Sequence, residues 1–259
     1  MSASTWTSTK SSGATDWPVP PGWTLHYLPT TGSTNDDARS LALAGCPDRT
    51  VVLADEQRAG RGRLGRRWIA PRGASLLLSI VLRRKTPSVF LTALCSLGVV
   101  EAIAETTGLT ARIKWPNDVM IGPKKVCGIL TEVLSRDDQA MTVVGIGLNV
   151  NLEPMVAGIP ESGTSLSLEL GRDVERATLF GVLLARLDAA LALADRSFED
   201  AIRGRWEALL WRRSQAVRVD QDGPTLYGVV EGLTSSGALR LRAPDGELIE
   251  VAIGDVIGL

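Results

Sequence analysis

The residues able to do chemistry in this chain concentrate in one stretch, Asp55-Glu-Gln-Arg-Ala-Gly-Arg-Gly-Arg-Leu-Gly-Arg-Arg-Trp68. Three glycines (Gly60, Gly62, Gly65) and five arginines (Arg58, Arg61, Arg63, Arg66, Arg67) share ten residues of it. Such a segment resists folding alone, because its arginines repel one another and its glycines lose the most backbone freedom. Ordering ten residues costs on the order of 10–20 kcal/mol, at about 1–2 kcal/mol each. An anion has to offset that cost, and each charge-assisted hydrogen bond returns roughly 1.5–3 kcal/mol. Interleaved glycines also let backbone N–H groups approach a phosphate. The expectation is a loop, mobile when empty, that closes over a phosphorylated ligand.

The surroundings sharpen this. No Asp or Glu occurs from Gln57 to Val100, while Arg72, Arg83, Arg84 and Lys85 add positive charge. The whole chain nevertheless carries a formal net charge of -1. The positive charge is therefore local, as a pocket for an anion requires. Gly60-x-Gly62-x-x-Gly65 has the spacing of a dinucleotide fingerprint, but that fingerprint must open a helix and be followed by an acid about 20 residues on. Here Pro71 and Gly73 follow, and no acid appears before Glu101. His26 is the only histidine, so histidine-based nucleophilic or zinc chemistry is not expected, and His26 itself reads as structural. Cys46, Cys95 and Cys127 are odd in number and scattered, without metal-ligand spacing. They suit a reducing, cytoplasmic compartment, and no protein metal site is expected.

Several elements must position the loop. Residues 1–22 are rich in Ser, Thr, Gly and Pro and read as a disordered tail. No apolar run approaches the roughly 20 residues of a membrane span. Residues 23–28 read as a strand, and Ser33 or Thr34 suits the cap of a helix that stops at Gly45. The apolar run 51–54 leads into the arginine loop, and 76–82 forms a second buried strand. A helix is expected over 89–107, ending at Gly108. In Arg112-Ile-Lys-Trp-Pro-Asn-Asp-Val-Met-Ile121, Pro116 breaks the strand pattern, which should leave Asn117 and Asp118 at a bend with free side chains. Residues 126–134 and 141–151 read as buried strands, with Lys125 at the mouth of the first. Helices are expected over 176–194 and 198–211, followed by four short strands with Asp-Gly and Ser-Gly turns. The domains expected are a catalytic unit over 23–213 and a small β-barrel of SH3 size over 214–259.

Taken together, these residues resemble the biotin–protein ligases. The matching elements are Gly32-Ser-Thr-Asn35, Gly60-Arg-Gly-Arg-Leu-Gly-Arg-Arg-Trp68, Lys114-Trp-Pro-Asn-Asp-Val119, Lys125-Val-Cys-Gly-Ile-Leu-Thr-Glu132 and Gly145-Ile-Gly-Leu-Asn-Val-Asn151, in the family's order. The resemblance runs from about Trp23 to the end. It implies an α+β fold: a class II synthetase-like catalytic domain with a mixed sheet flanked by helices, plus an SH3-like C-terminal barrel. It implies formation of biotinyl-5′-AMP from biotin and ATP with Mg²⁺, then transfer of biotin to a lysine of a biotin carboxyl carrier domain of an acyl-CoA carboxylase.

The resemblance also implies roles. Ser33, Thr34, Asn35 and Gln57 would hold the biotin head group. Arg61, Gly62 and Arg63 would border the carboxylate and the α-phosphate, with Lys125 bridging the two. Gly60, Arg66, Trp68, Lys114, Asn117 and Asn149 would serve ATP, and Asp118 would aid the nucleotide and accept a proton in the transfer step. Lys125, Arg63 and Asp118 are the catalytic candidates. Larger bacterial members carry an N-terminal DNA-binding domain. Only the polar tail precedes Trp23, so a ligase without repressor function is expected, with no DNA or membrane partner and at most a weak homodimer. The rival readings are a lipoate or octanoyl ligase of the same architecture, and a nucleic-acid-binding module. The acids of the barrel segment, such as Asp220, Asp222, Glu231 and Asp245, count against the latter.

Overall fold

Strand alternation decides how the larger domain is layered. The computed structural model describes residues 16–84, 86–136, 139–153, 162–193 and 198–259, so Lys85, Ala194 and residues 1–15 of the expected tail lie outside the described residues. Seven strands form one sheet in the order β1 (Thr24–Leu28), β2 (Thr50–Ala54), β3 (Ser75–Leu82), β7 (Gln139–Asn149), β6 (Lys124–Arg136), β5 (Asp118–Ile121), β4 (Arg112–Lys114). β1 runs parallel to β2 and the remaining pairs are antiparallel, which makes the sheet mixed, as expected.

Successive residues on a strand face opposite ways. Leu76, Leu78 and Ile80 on β3, Ile146 and Leu148 on β7, and Cys127 and Ile129 on β6 belong to the main core with α2 (Ser88–Thr107) and α4 (Arg176–Leu193). The intervening residues face the other way. At one end of that second face Val81, Val143, Met141 and Leu134 pack with Ala38 and Ala42 of α1 (Thr34–Leu43). At the other end stand Ser79, Gly145, Gly147, Asn149 and Gly128, paired in register across β3, β7 and β6. Small residues there leave space beside the start of α1.

α2 ends at Gly108 in the left-handed conformation, as its sequence suggests. Its twenty residues are long and apolar enough to cross a membrane, which corrects the expectation that no run reaches that length. Burial explains the apolarity: 72% of its most apolar window lies inside the protein.

A second sheet of five antiparallel strands, ordered β11-β10-β9-β8-β12, forms the C-terminal domain. Four of these were expected: β8 (Ala216–Asp220), β9 (Leu226–Leu233), β10 (Leu239–Arg242) and β11 (Leu248–Val251). The fifth, β12 (Asp255–Gly258), was not, because two glycines flank its only two apolar residues. Two helices complete the chain, α3 (Leu166–Leu170) and α5 (Phe198–Ala208). The joint between domains is stitched to both sheets. Ile113 and Trp211 exchange backbone bonds with their neighbours (Ile113 N–H to Leu209 at 2.8 Å, Trp211 N–H to Ile113 at 2.9 Å), and Ser214 N–H donates to Val230 at 2.8 Å.

The expected tail needs a correction at its second half. Trp17 is only 8% exposed, with its ring edge-on to Phe180 at 5.3 Å and the Arg176 guanidinium 5.4 Å above it. Pro18 occupies the space beside Gly181, where an added Cβ would come within 2.5 Å of it. An indole buries too much apolar surface to stay in water when a docking site exists. Trp17→Ala should lower unfolding free energy by about 3 kcal/mol. Urea denaturation checks this; a negligible change in midpoint would return the segment to a tail.

Candidate active site

A pocket of about 630 Å³ lies over the glycine-lined end of the sheet, beneath the arginine loop. Every residue expected to touch either ligand lines it except Gly60, which sits at the base of the loop. There Trp68 N–H donates to the Gly60 carbonyl at 2.9 Å, and a Cβ on Gly60 would stand 2.6 Å from the Trp68 carbonyl. Gly60 therefore closes the loop and does not wall the pocket.

The floor depends on missing side chains. A Cβ on Gly145 would lie 2.1 Å from Asn35 Oδ1, and one on Gly147 would lie 2.6 Å from the Trp68 ring. Gly128 would meet the same ring and Lys125 Nζ, each at 3.0 Å. Gly128 figures in the sequence only as a neighbour that lets Lys125 point inward, and Gly145 and Gly147 escaped the residue-by-residue reading. A glycine inside a buried strand signals close approach by another group, and that was the available clue.

One end of the pocket presents neutral polar groups. Ser33 occupies the N-cap position of α1 but makes no side-chain cap bond, and it is buried against the pocket. Gln57 caps in its place: Thr34 N–H donates to Gln57 Oε1 at 2.8 Å, and Thr34 Oγ1 lies 3.0 Å from the same oxygen. Asn35 Oδ1 accepts from Ser79 at 2.6 Å, and its Nδ2 donates to Glu132 at 2.7 Å.

The other end is cationic, and the protein supplies the counter-groups. Lys125 Nζ stands 2.6 Å from Asp118 Oδ1 and 5.6 Å from the Trp68 ring centre. Arg63 donates to Asn117 Oδ1 at 2.9 Å, while Asn117 Nδ2 donates to the Ile129 carbonyl at 2.8 Å. Asn117 and Asp118 are thus engaged rather than free at a bend, and Asp118 opens β5. Arg66 meets Asp255 of the barrel at 2.8 Å, with Lys114 3.6 Å from the other carboxylate oxygen. Arg61 turns to Asp36 in a bidentate pair, 2.7 Å at each nitrogen. Its guanidinium is committed to a carboxylate of α1, which leaves its backbone and Gly62 beside the expected acid.

The loop itself folds as a small hairpin. Gly62 N–H donates to the Arg66 carbonyl at 2.7 Å around a 3-10 turn at Arg63–Gly65. Leu64 takes the left-handed conformation at φ 56 and is exposed.

The ion pairs move the carboxylates. The Arg61 hydrogen bond holds Asp36 below the ordinary carboxylate value against the opposing effect of burial. Burial works to raise Asp255, but the Arg66 hydrogen bond and the charges of Lys114, Arg66 and Arg63 outweigh it and leave the group lowered. His26 is lowered by burial, in keeping with a structural role.

Among the described residues no cluster of three His, Cys, Asp or Glu is placed to hold a metal ion. Mg²⁺ asks for less, since it keeps waters and phosphate oxygens and takes one or two protein oxygens. Asn149 offers one: Nδ2 donates to the Thr164 carbonyl at 2.9 Å, while Oδ1 is buried without a partner.

Comparison with known proteins bears on this geometry. The Biotin/lipoate A/B protein ligase family model matches residues 27–149, and the Biotin protein ligase C terminal domain model matches 215–257. A biotin–[acetyl-CoA-carboxylase] ligase of Paracoccus denitrificans is 34% identical over 236 residues, covering 86% of this chain and 95% of that protein. This chain belongs to the biotin–protein ligase family. Another relative, the bifunctional ligase/repressor BirA of Bacillus subtilis, is 34% identical over 87% of this chain and 71% of its own length. The solved biotin protein ligase of Aquifex aeolicus in complex with biotin and ATP superposes with a TM-score of 0.79 at 30% identity, covering 90% of this chain and 97% of that one.

In this ligase the barrel reaches the pocket through Asp255, which the sequence reading missed. A depressed carboxylate stabilises the fold fully above the unfolded aspartate value of about 3.9 and loses that contribution as pH falls through its folded value. Asp255→Asn should therefore narrow the gap between stabilities measured at neutral pH and in acid. An unchanged gap would mean the pair contributes nothing.

Proposed function

We propose that this chain activates biotin with ATP and passes it to a lysine of a biotin carboxyl carrier domain, using the pocket between the hairpin and the glycine floor. The observation that carries the reading is a gradient along β7. Asn35 fills the space at Gly145, Trp68 and Lys125 flank Gly147 and Gly128, and Asn149 follows. At about 3.3 Å per residue, Gly145 to Asn149 spans roughly 13 Å. A ligand laid along it meets neutral donors and acceptors first and cations last. That suits a neutral bicyclic ring whose chain ends in a carboxylate beside a nucleotide.

Biotin's carboxylate needs no base, since an ordinary carboxyl is ionised at pH 7. One of its oxygens attacks the α-phosphorus of ATP, the bond to the β-phosphate oxygen breaks, and pyrophosphate leaves. The barrier is repulsion between two anions. Lys125 lies where both converge and exchanges Asp118 for the ligand oxygens, and Arg63 likewise exchanges Asn117. Lys114 and Arg66 take the phosphates, and Trp68 walls the adenine side. Ser33, Thr34, Asn35 and Gln57 hold the ring, and closure of Gly60–Trp68 shields the mixed anhydride from water. Mg²⁺ would accompany the triphosphate and neutralise part of its charge, with Asn149 Oδ1 as the protein oxygen that fits.

In the second step the acceptor lysine nitrogen attacks the acyl carbon, AMP leaves, and the nitrogen loses a proton. Asp118, released by Lys125, would accept that proton. The C-terminal domain match to biotin protein ligases favours biotin over lipoate or octanoate. The acids of the barrel count against nucleic acid as the ligand. A cytoplasmic setting belongs to this reading, and three free cysteines, two of them buried, support it.

Labelled biotin with Mg·ATP tests the proposal, and biotinyl-AMP should form. Lys125→Ala should cut adenylate formation by roughly 10²–10³ while the fold persists. Arg63→Ala should instead form adenylate and release it to solution, read as free biotinyl-AMP. Retention equal to wild type would remove Arg63 from the lid.

A further inference from the structure

Glu132 ends the Lys125–Glu132 motif, yet the reaction gives it no part. It lies on the pocket face of β6, two residues beyond Leu130 and four beyond Gly128. Its two oxygens serve two different elements. Oε2 accepts from Asn35 Nδ2 at 2.7 Å, and Oε1 lies 3.9 Å from Arg61 Nη2 in the lid. Arg61 is gripped at the same time by Asp36.

Asn35 is buried, so its amide has one satisfactory orientation. A carboxylate offers only acceptors, so Nδ2 must face Glu132 and Oδ1 must face the Ser79 hydroxyl. The one proton of that hydroxyl is spent on Asn35, so its 2.7 Å contact with Thr34 Oγ1 uses the Thr34 proton, and Thr34 stays tied to Gln57 through its backbone N–H at 2.8 Å. One carboxylate thereby fixes the orientation of Asn35 and, through it, of the Ser79 and Thr34 hydroxyls at the head of α1. The same carboxylate steadies the first arm of the hairpin.

We infer that Glu132 is a positioning residue that couples the biotin head-group end of the pocket to closure of the lid. This rests on the biotin and ATP reading above. Glu132 touches neither substrate; it acts through Asn35 on one side and Arg61 on the other.

Two variants of the full chain separate the two contacts. Glu132→Gln keeps the shape but removes the charge and offers Asn35 a donor as readily as an acceptor. Asp36→Asn disturbs Arg61 alone. The measurements are the Kd for biotin by calorimetry without ATP, and the rate at which biotinyl-AMP escapes when biotin and Mg·ATP are present. Glu132→Gln should raise biotin Kd roughly tenfold, as loss of a charge-assisted bond does, and the escape rate about twofold to fivefold, as loss of a 3.9 Å ion pair does. Asp36→Asn should raise the escape rate and leave biotin Kd within about twofold.

A purely structural Glu132 would lower Tm and leave both readouts in place, which overturns the inference. A change in Kd without a change in escape overturns the coupling. If Glu132→Gln does not fold, Glu132→Asp, which keeps the charge but withdraws it from Asn35, is judged by the same two readouts. A wild-type protein that binds biotin and makes adenylate, beside variants that match it, overturns this inference alone. A wild-type protein that makes no adenylate overturns the functional reading and this inference with it.

Discussion

Concentrated positive charge is the constraint on which the rest of this structure depends. Arg61, Arg63, Arg66, Lys114 and Lys125 line one pocket. Left alone they would repel one another and splay the hairpin. The protein answers with groups of its own: Asp36, Asn117, Asp255 and Asp118. Each of these contacts is partly exposed, where an isolated ion pair contributes little. Their value lies in the geometry, because several cations are held facing one volume. In the proposed reaction an acyl-phosphate and its nucleotide take over those contacts.

That arrangement is possible only because the sheet divides its two faces so sharply. One face is given wholly to the core with α2 and α4. The other is shared between α1 and the pocket, and the boundary falls where Ser79, Gly145 and Asn35 meet. The head of α1 is therefore both a helix start and a pocket wall. Gln57 takes the capping duty that Ser33 leaves, so Ser33 stays available to a ligand. The barrel contributes as well: β12 brings Asp255 to Arg66 and Lys114, which makes the seating of the second domain part of the site.

Much of this was legible in the sequence, for identifiable reasons. Strands β2, β3, β6 and β7 announced themselves by apolar pattern, α2 by its Gly108 stop, and the barrel by its Asp-Gly turns. The arginine loop announced its chemistry by a concentration of charge that calls for anionic partners. What stayed hidden were partnerships across long sequence separations. Nothing near Arg61 in the chain points to Asp36 and Glu132, and nothing near Arg66 points to Asp255. Asn117 and Asp118 looked free because a turn reading considers only neighbours along the chain. Trp17 looked disordered because its Ser- and Pro-rich surroundings outweighed one indole whose docking site on Phe180 lies far along the chain.

The central claim is that the hairpin gains its final rigidity from the ligand anions that replace its protein partners. Amide hydrogen exchange over Gly60–Trp68 tests this most directly, measured in the free protein and with biotin and Mg·ATP bound. The account predicts that protection across the segment rises when both ligands are present. Exchange that is equally slow in both states would contradict it.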